Sequence, residues 1–183
     1  MTHLNIEIKA HTDHPERIEA ILLTHHADYK GEDRQRDTYY KMTGGRLKLR
    51  QGNIENSLIL YDRLEVEGLK KSEVVLQQLP DSGEALRQIL NRALGSWVVV
   101  EKRRKIFYLD NVKFHLDSVE GLGAFVEIEA CDQSGSKSEA ALREQCNYYQ
   151  ALFGIKPEAL IAKSYSDMII ELESANKNDL SGV

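Results

Sequence analysis

Val112-Lys113-Phe114-His115-Leu116-Asp117-Ser118 and Ala124-Phe125-Val126-Glu127-Ile128-Glu129-Ala130, with Glu120-Gly121-Leu122-Gly123 between them, decide the fold. Each run alternates apolar and polar residues, the period of a strand with one face buried. The glycine-bearing link marks a turn, so the two runs read as neighbouring antiparallel strands. Lys113, His115 and Asp117 share one face of the first strand, and Glu127 and Glu129 share one face of the second. The other faces carry Val112, Phe114 and Leu116, and Val126, Ile128 and Ala130.

The same pattern extends in both directions. Strands are expected at residues 4–9, 38–42, 46–51, 57–63, 73–79, 97–107, 112–118 and 124–130, with turns at Thr43-Gly44-Gly45 and Asp110-Asn111. Asn5, Glu7 and Lys9 alternate with Leu4, Ile6 and Ile8, and Arg46, Lys48 and Arg50 with Leu47 and Leu49. Glu101 through Lys105 is an unbroken charged run, so parity does not assign its faces.

Four helices are signalled by capping patterns at Asp13-His14-Pro15-Glu16, Asp81-Ser82-Gly83-Glu84, Ser136-Lys137-Ser138-Glu139 and Ser164-Tyr165-Ser166-Asp167. In the first three, the opening residue is expected to accept from an orphan amide while the Glu reaches back. Each helix has one apolar stripe and must lie on something. Eight mostly antiparallel strands leave costly edges unless the sheet closes. The expected fold is therefore α+β, a closed eight-stranded antiparallel β-barrel with helices packed outside; a two-sheet sandwich is the competing architecture.

The chain has 183 residues, 42% of them apolar, enough for one domain with a real core. Residues 1–174 are expected to form that domain and 175–183 a flexible C-terminal tail. Twenty-four Lys and Arg against 29 Asp and Glu give a net charge of -5, which argues against general affinity for nucleic acid or anionic membrane. No stretch is long and apolar enough to span a bilayer, and the N-terminal residues lack signal-peptide character. Two cysteines, Cys131 and Cys146, cannot make a disulfide framework or a zinc quartet. These features point to a cytoplasmic protein.

The strand charges permit two readings. A sheet solvated on its charged face explains the alternation alone. Two observations favour the opposite direction. The helices need an apolar surface to cover, and the charges are sorted by sign: Arg46, Lys48 and Arg50 together, Glu127 and Glu129 together. An interior so lined could not be dry, because unpaired buried charges cost several kcal/mol each, roughly. Clustered carboxylates suit Mg²⁺ or Mn²⁺, and clustered bases suit phosphates.

Asn5-Ile6-Glu7-Ile8-Lys9 resembles the Glu-x-Glu-x-Lys strand of the CYTH domain, or triphosphate tunnel metalloenzyme, family. The resemblance continues through Gly45-Arg46-Leu47-Lys48-Leu49-Arg50 and Lys102-Arg103-Arg104. It is strongest at His115-Leu116-Asp117-Ser118-Val119-Glu120-Gly121-Leu122-Gly123-Ala124-Phe125-Val126-Glu127-Ile128-Glu129, which is most similar to the class IV adenylyl cyclase-like branch. Lys163-Ser164-Tyr165-Ser166-Asp167-Met168 resembles the family's C-terminal segment.

The resemblance implies a barrel whose charged interior is a triphosphate tunnel. It implies Glu7, Glu127 and Glu129 as ligands for Mg²⁺ or Mn²⁺, and Lys9, Glu7 and Asp117 as catalytic groups. Lys9, Arg46, Lys48, Arg50, Arg63, Lys102, Arg104 and Lys113 would hold substrate phosphates. Asn5 stands where the family carries a first Glu and offers one neutral oxygen in place of a carboxylate. Phe107 stands where related chains often carry Tyr. The implied substrate is a small-molecule triphosphate (ATP, thiamine triphosphate or tripolyphosphate), with no nucleic-acid or membrane partner; relatives also suggest a homodimer. Two reactions follow, cyclisation of ATP with release of pyrophosphate or hydrolysis of a terminal phosphate. A non-catalytic nucleotide- or polyphosphate-binding module and a barrel for an apolar ligand are the competing functions.

Other motifs carry less. Gly121-Leu122-Gly123 precedes a strand and lacks the third glycine of a dinucleotide fingerprint, and no phosphate loop is present. His11, Asp13 and His14 read as a solvated helix start, His25-His26 as a helix end, and Cys146 as core.

Overall fold

The computed structural model describes the backbone of residues 4–66, 69–132 and 135–180, and the side chains of residues 5–61, 74–132 and 135–176. In chain order these form β1 (Leu4–His11), α1 (Pro15–Thr24), β2 (Asp28–Tyr40), β3 (Arg46–Gln51), β4 (Ser57–Val66) and β5 (Leu69–Gln78). There follow α2 (Glu84–Ala93), β6 (Ser96–Leu109), β7 (Val112–Val119), β8 (Gly123–Asp132), α3 (Glu139–Leu152), a 3-10 turn at Pro157–Ala159 and α4 (Tyr165–Leu180). The molecule is α+β: eight antiparallel strands curl strongly in the order β1-β5-β4-β3-β2-β6-β7-β8. β1, the first strand of that order, pairs with the last, β8, from Leu4–Asp132 to His11–Phe125, and with its neighbour β5 at Ile6–Lys71 and Glu7–Lys70.

The direction of the side chains follows from the larger core. Ile6, Ile8 and Ala10 of β1, Val112, Phe114 and Leu116 of β7, and Val126, Ile128 and Ala130 of β8 are buried beneath Ile18 and Leu22 of α1 and Leu142 and Cys146 of α3. Two helices thus cover the apolar outer face, and strand alternation turns the charged residues to the concave side. A second cluster joins Tyr39, Ile59, Tyr61, Val98, Val100, Val119 and Phe125, from the inward parity of the strands, with Tyr165 of α4. One end of the concave side is therefore packed with apolar and aromatic groups, an arrangement that the charged alternation did not announce.

Several elements differ from expectation. β2 starts ten residues before 38, because its first half carries polar residues on both faces and gives no hydrophobic period. β4 and β5 are each longer than 57–63 and 73–79 and pair out to Val66–Leu69. In β6, Lys102 and Arg104 are buried while Glu101 and Arg103 are exposed, which resolves the ambiguous charged run. α4 continues to Leu180, so helix occupies the stretch read as the start of a tail. Its capping residue Ser164 and its first residue Tyr165 also face the concave side, whereas helices were expected outside. α2 contributes no buried residue despite its apolar stripe.

The caps were redistributed too. His14 and Gly83, the residues before α1 and α2, make no side-chain cap, and Ser138, not Ser136, accepts from the Ala141 amide at 3.2 Å. The reciprocal capping box occurs at α4. Ser164 Oγ accepts from the Asp167 amide (3.1 Å), and the Asp167 carboxylate accepts from the Ser164 amide (3.2 Å). Among the described residues no helix is long and apolar enough to cross a membrane.

Candidate functional site

The concave side encloses a cavity of about 470 Å³. Strand register builds its walls: Glu7 lies opposite Glu129 and Lys9 opposite Glu127 across β1 and β8, and Lys113 and His115 oppose Glu129 and Glu127 across β7 and β8. On the far side Asp37 opposes Arg50, and Tyr39 opposes Lys48.

Of the residues expected in the site, Glu7, Lys9, Lys48, Arg50, Lys102, Arg104, Lys113, Glu127 and Glu129 line this cavity. Asp117 lies behind the wall, buried, accepting from Arg104 Nε (2.6 Å) and Nη2 (2.5 Å) and from the Tyr165 hydroxyl (2.8 Å). Arg46 is not on the wall. It turns to the start of α4, donating to Ser164 Oγ (3.0 Å) and Ser166 Oγ (3.1 Å) and pairing with Asp167 at 2.8 Å. The side chain of Arg63 lies outside the described residues.

The bases are organised around carboxylates. Asp37 accepts from Arg50 Nε (2.9 Å) and Nη2 (3.0 Å), Lys48 Nζ (3.1 Å) and Lys102 Nζ (2.8 Å). Burial opposes its ionisation, but these three cations together hold it well below the usual carboxylate range. Burial, helped by Arg50 and Arg104 and opposed by Asp37, lowers Lys102 to about 7. Glu55, from the β3–β4 loop, reaches in to accept from Lys113 (2.5 Å), Arg50 (2.9 Å) and Gln35 (3.1 Å). Lys9 donates to the Lys163 carbonyl at 2.5 Å and lies 4.2 Å from the Tyr165 ring centre.

Glu127 accepts from Arg104 Nη2 at 2.7 Å and lies 3.2 Å from His115 Nδ1. Burial, with Arg104 and Lys113 nearby, lowers His115 to about 3. The ring is thus neutral beside an ionised Glu127, which fixes the proton on Nδ1.

Asp37, Gln35, Glu55 and the loop-holding Asp33 were not identified from the sequence. Their signal was present in Asp33-Arg34-Gln35-Arg36-Asp37, where Asp33, Gln35 and Asp37 alternate in phase with inward-facing Tyr39 and are all buried. A strand with polar residues on both faces hides that phase. Glu55 had no periodic signal. It is placed by the Asp33 carboxylate, which accepts from the Ile54 and Glu55 amides at 2.8 and 3.0 Å.

The donor set fits a hard divalent cation by chemistry. Six basic and five acidic side chains line the cavity among the described residues. A triphosphate entering so nearly neutral a space needs further positive charge. Glu129 is held above its ordinary range, first by burial and then by Glu7 and Glu127, against the pull of Lys113. A cation beside Glu129 relieves that repulsion. Among the described residues no three acidic, His or Cys groups already converge as a cage. Glu129 Oε1 accepts from Asn5 Nδ2 at 2.6 Å, and Glu127 is engaged by Arg104.

Residues 3–165 match the sequence profile of the CYTH domain. The Methanocaldococcus jannaschii protein MJ0240, provisionally named an adenylate cyclase, is 24% identical over 174 residues, covering 90% of this chain and 98% of the relative. The structure of PH1012 from Pyrococcus horikoshii matches with a TM-score of 0.75 at 24% identity, covering 89% of this chain and 98% of that one. HpAC1 from Hippeastrum, provisionally named an adenylyl cyclase and described as having a dominant triphosphatase activity, matches with a TM-score of 0.63 at 12% identity, covering 94% and 96%. At these identities the structural likeness is one of fold.

Proposed function

Because this chain belongs to the CYTH domain family, we propose that it is a divalent-metal-dependent enzyme acting on a triphosphate-bearing small molecule, with residues 1–174 as the working unit and the curled sheet serving as a closed triphosphate tunnel. The observation that carries this reading is the convergence of Lys9, Lys48, Arg50, Lys102, Arg104 and Lys113 with Glu7, Glu127 and Glu129 on one cavity. Two free cysteines fit a reducing compartment such as the cytoplasm.

The bases bind and orient the phosphates. Each lysine ammonium has three donors, so Lys48 and Lys102 keep N–H groups for substrate while pairing with Asp37. Arg50 and Arg104, clamped by carboxylates, present their guanidinium planes in fixed positions and offset charge developing on phosphoryl oxygens. Asp117 acts one step back by holding Arg104. Glu7, Glu127 and Glu129 would hold Mg²⁺ or Mn²⁺, and Lys9 stands beside them. Bound there, the cation supplies polarisation of a phosphoryl oxygen and alignment of the displacement. If water attacks the terminal phosphorus, the products are phosphate and a diphosphate. If the ribose 3′-oxygen of ATP attacks the α-phosphorus, the P–O bond to pyrophosphate breaks and cyclic AMP forms.

The test is to incubate the protein with ATP, thiamine triphosphate and tripolyphosphate, each with Mg²⁺ or Mn²⁺, and to assay phosphate, pyrophosphate and cyclic AMP. Turnover of at least one is expected, and Glu129→Ala should abolish it with the circular dichroism spectrum unchanged. No product from any of the three, or full activity in Glu129→Ala, contradicts the reading. The Asn5–Glu129 bond favours a second reading, a non-catalytic polyphosphate- or nucleotide-binding module, because it occupies a carboxylate oxygen that a cation needs.

A further inference from the structure

Of the acidic side chains that line the cavity among the described residues, Glu7, Asp37, Glu127 and Glu129 stand on strands. Glu55 comes instead from the connection between β3 and β4, at the rim of the curled sheet. Its Oε1 accepts from Lys113 Nζ at 2.5 Å, and its Oε2 accepts from Arg50 Nη1 at 2.9 Å and Gln35 Nε2 at 3.1 Å. Arg50 is on β3 and Lys113 on β7, with β2 and β6 between them in the sheet order. That is three strand spacings, about 14 Å along the sheet. The two bases therefore meet on Glu55 across the concave space.

A carboxylate presents two anionic oxygens on one atom, as a phosphoryl group does, and both attract charge-assisted bonds from Lys and Arg. Burial opposes the ionisation of Glu55, but Arg50, Lys113 and His115 hold it below the usual carboxylate range. The group seated on these two bases is thus itself an anion, and it repels a second one at contact distance.

Glu55 also differs from Asp37 in its freedom to leave. The Asp37 side chain is 2% exposed and enclosed by three cations, whereas that of Glu55 is 23% exposed. The loop backbone is fixed by other groups. The Asp33 carboxylate accepts from the Ile54 and Glu55 amides, Asn53 Oδ1 from the Arg34 amide (2.6 Å) and Asn56 Oδ1 from the Gly52 amide (3.0 Å). Rotation of the Glu55 side chain toward solvent breaks none of these bonds.

We infer that Glu55 is an internal competitor for the phosphate site: its carboxylate occupies donors of Arg50 and Lys113 that a phosphate group of the ligand takes, and it leaves them by side-chain rotation when the ligand binds. This rests on the triphosphate reading above and adds to it a residue that lowers the affinity of the site. A Glu55 that only positioned the two bases, as Asp37 does for its own, would have the opposite effect.

Calorimetric titration of tripolyphosphate with Mg²⁺ tests it in the wild-type protein, Glu55→Gln, Lys113→Met and the double variant, with thermal melts to check folding. Glu55→Gln keeps the length of the side chain and removes its charge. Tripolyphosphate should bind it about tenfold more tightly than the wild type, the scale of one charge-assisted hydrogen bond no longer contested. Glu55→Asp leaves a charge beside the buried bases but shortens the reach, so it should tighten binding by less; it decides the matter if Glu55→Gln does not fold. Lys113→Met should weaken binding less than about twofold when Glu55 is present, because Lys113 then exchanges one anionic partner for another, and about tenfold in the Glu55→Gln background. Equal or weaker binding in Glu55→Gln, or in Glu55→Asp should the first not fold, overturns the inference. An equal effect of Lys113→Met in the two backgrounds overturns it as well. The two claims fail separately. Tighter binding in Glu55→Gln without turnover of any triphosphate removes the enzyme and keeps the inference, whereas turnover with weaker binding in Glu55→Gln does the reverse. No binding by either protein overturns both.

Discussion

Asp37 receives Lys48, Arg50 and Lys102 on one buried carboxylate, and its neutralisation leaves these buried bases without the charge that joins them. Asp37→Asn should lower stability by about 3–5 kcal/mol, the cost of breaking a buried ion cluster from one side. Urea unfolding at neutral pH measures it, and added tripolyphosphate should recover more stability in the variant than in the wild type, because the anion replaces the lost charge. Equal recovery in both proteins would separate Asp37's cations from the anion site. Lys102 gives a second prediction at this scale. Its folded value, about 7, lies below its ordinary 10.5, so between those values the unfolded state binds more protons. This group's contribution to stability therefore rises as pH climbs from 7 toward 10.5 and is smallest below 7. An anion bound beside Lys102 raises that value again, so triphosphate binding near pH 8 should take up protons and weaken from pH 7 to 9. Calorimetry in two buffers of different ionisation heat reads the uptake, which should vanish in Lys102→Met; no uptake in the wild type contradicts the assignment.

At the scale of elements, β2 and the β3–β4 loop are one device. Asp33 on β2 holds the loop amides, and the loop in turn delivers Glu55 to Arg50 and Lys113. Gly52 lets this happen. A Cβ there would stand 2.5 and 2.7 Å from the Asp33 carboxylate oxygens and 2.8 Å from the Glu55 carbonyl oxygen. Gly52→Ala should cost about 1–3 kcal/mol by overpacking and loosen Glu55 from its partners. The urea midpoint reads the first effect; the second appears as a changed affinity for tripolyphosphate. An unchanged midpoint would mean the loop moves without strain. The same two segments carry no readable period in the sequence. β1, β3, β7 and β8 were legible because one face is apolar and the period of two is plain. The first half of β2 was not, because Asp33, Gln35 and Asp37 are buried polar groups whose partners come from β3, β6 and the loop. Lys102 and Arg104 could be faced only once the β6–β7 register placed Arg104 opposite Asp117.

For the whole molecule, the sorting of charge by strand was the legible part of the site, and its pairing was not. Glu7, Glu127 and Glu129 fall on adjacent strands and the bases fall mostly on the others, as the alternation predicts. The carboxylates that occupy those bases, Asp37 and Glu55, and the apolar packing at one end come from segments without a clean period. Arg46 was grouped with Lys48 and Arg50 by parity and by the family resemblance, yet its partners are Ser164, Ser166 and Asp167 at the start of α4. Parity assigns a face and says nothing about depth along the strand.

On the proposed reading, the concave charges form one triphosphate site. Titration of tripolyphosphate with Mg²⁺ into the wild-type protein and Lys48→Met measures this most directly, since Lys48 reaches the cavity wall and its deletion leaves Asp37 two cations. Saturable binding of one ligand per chain is expected, about fivefold to tenfold weaker in Lys48→Met, the scale of a charged hydrogen bond. Heats that never saturate, or equal affinity in the two proteins, would contradict it.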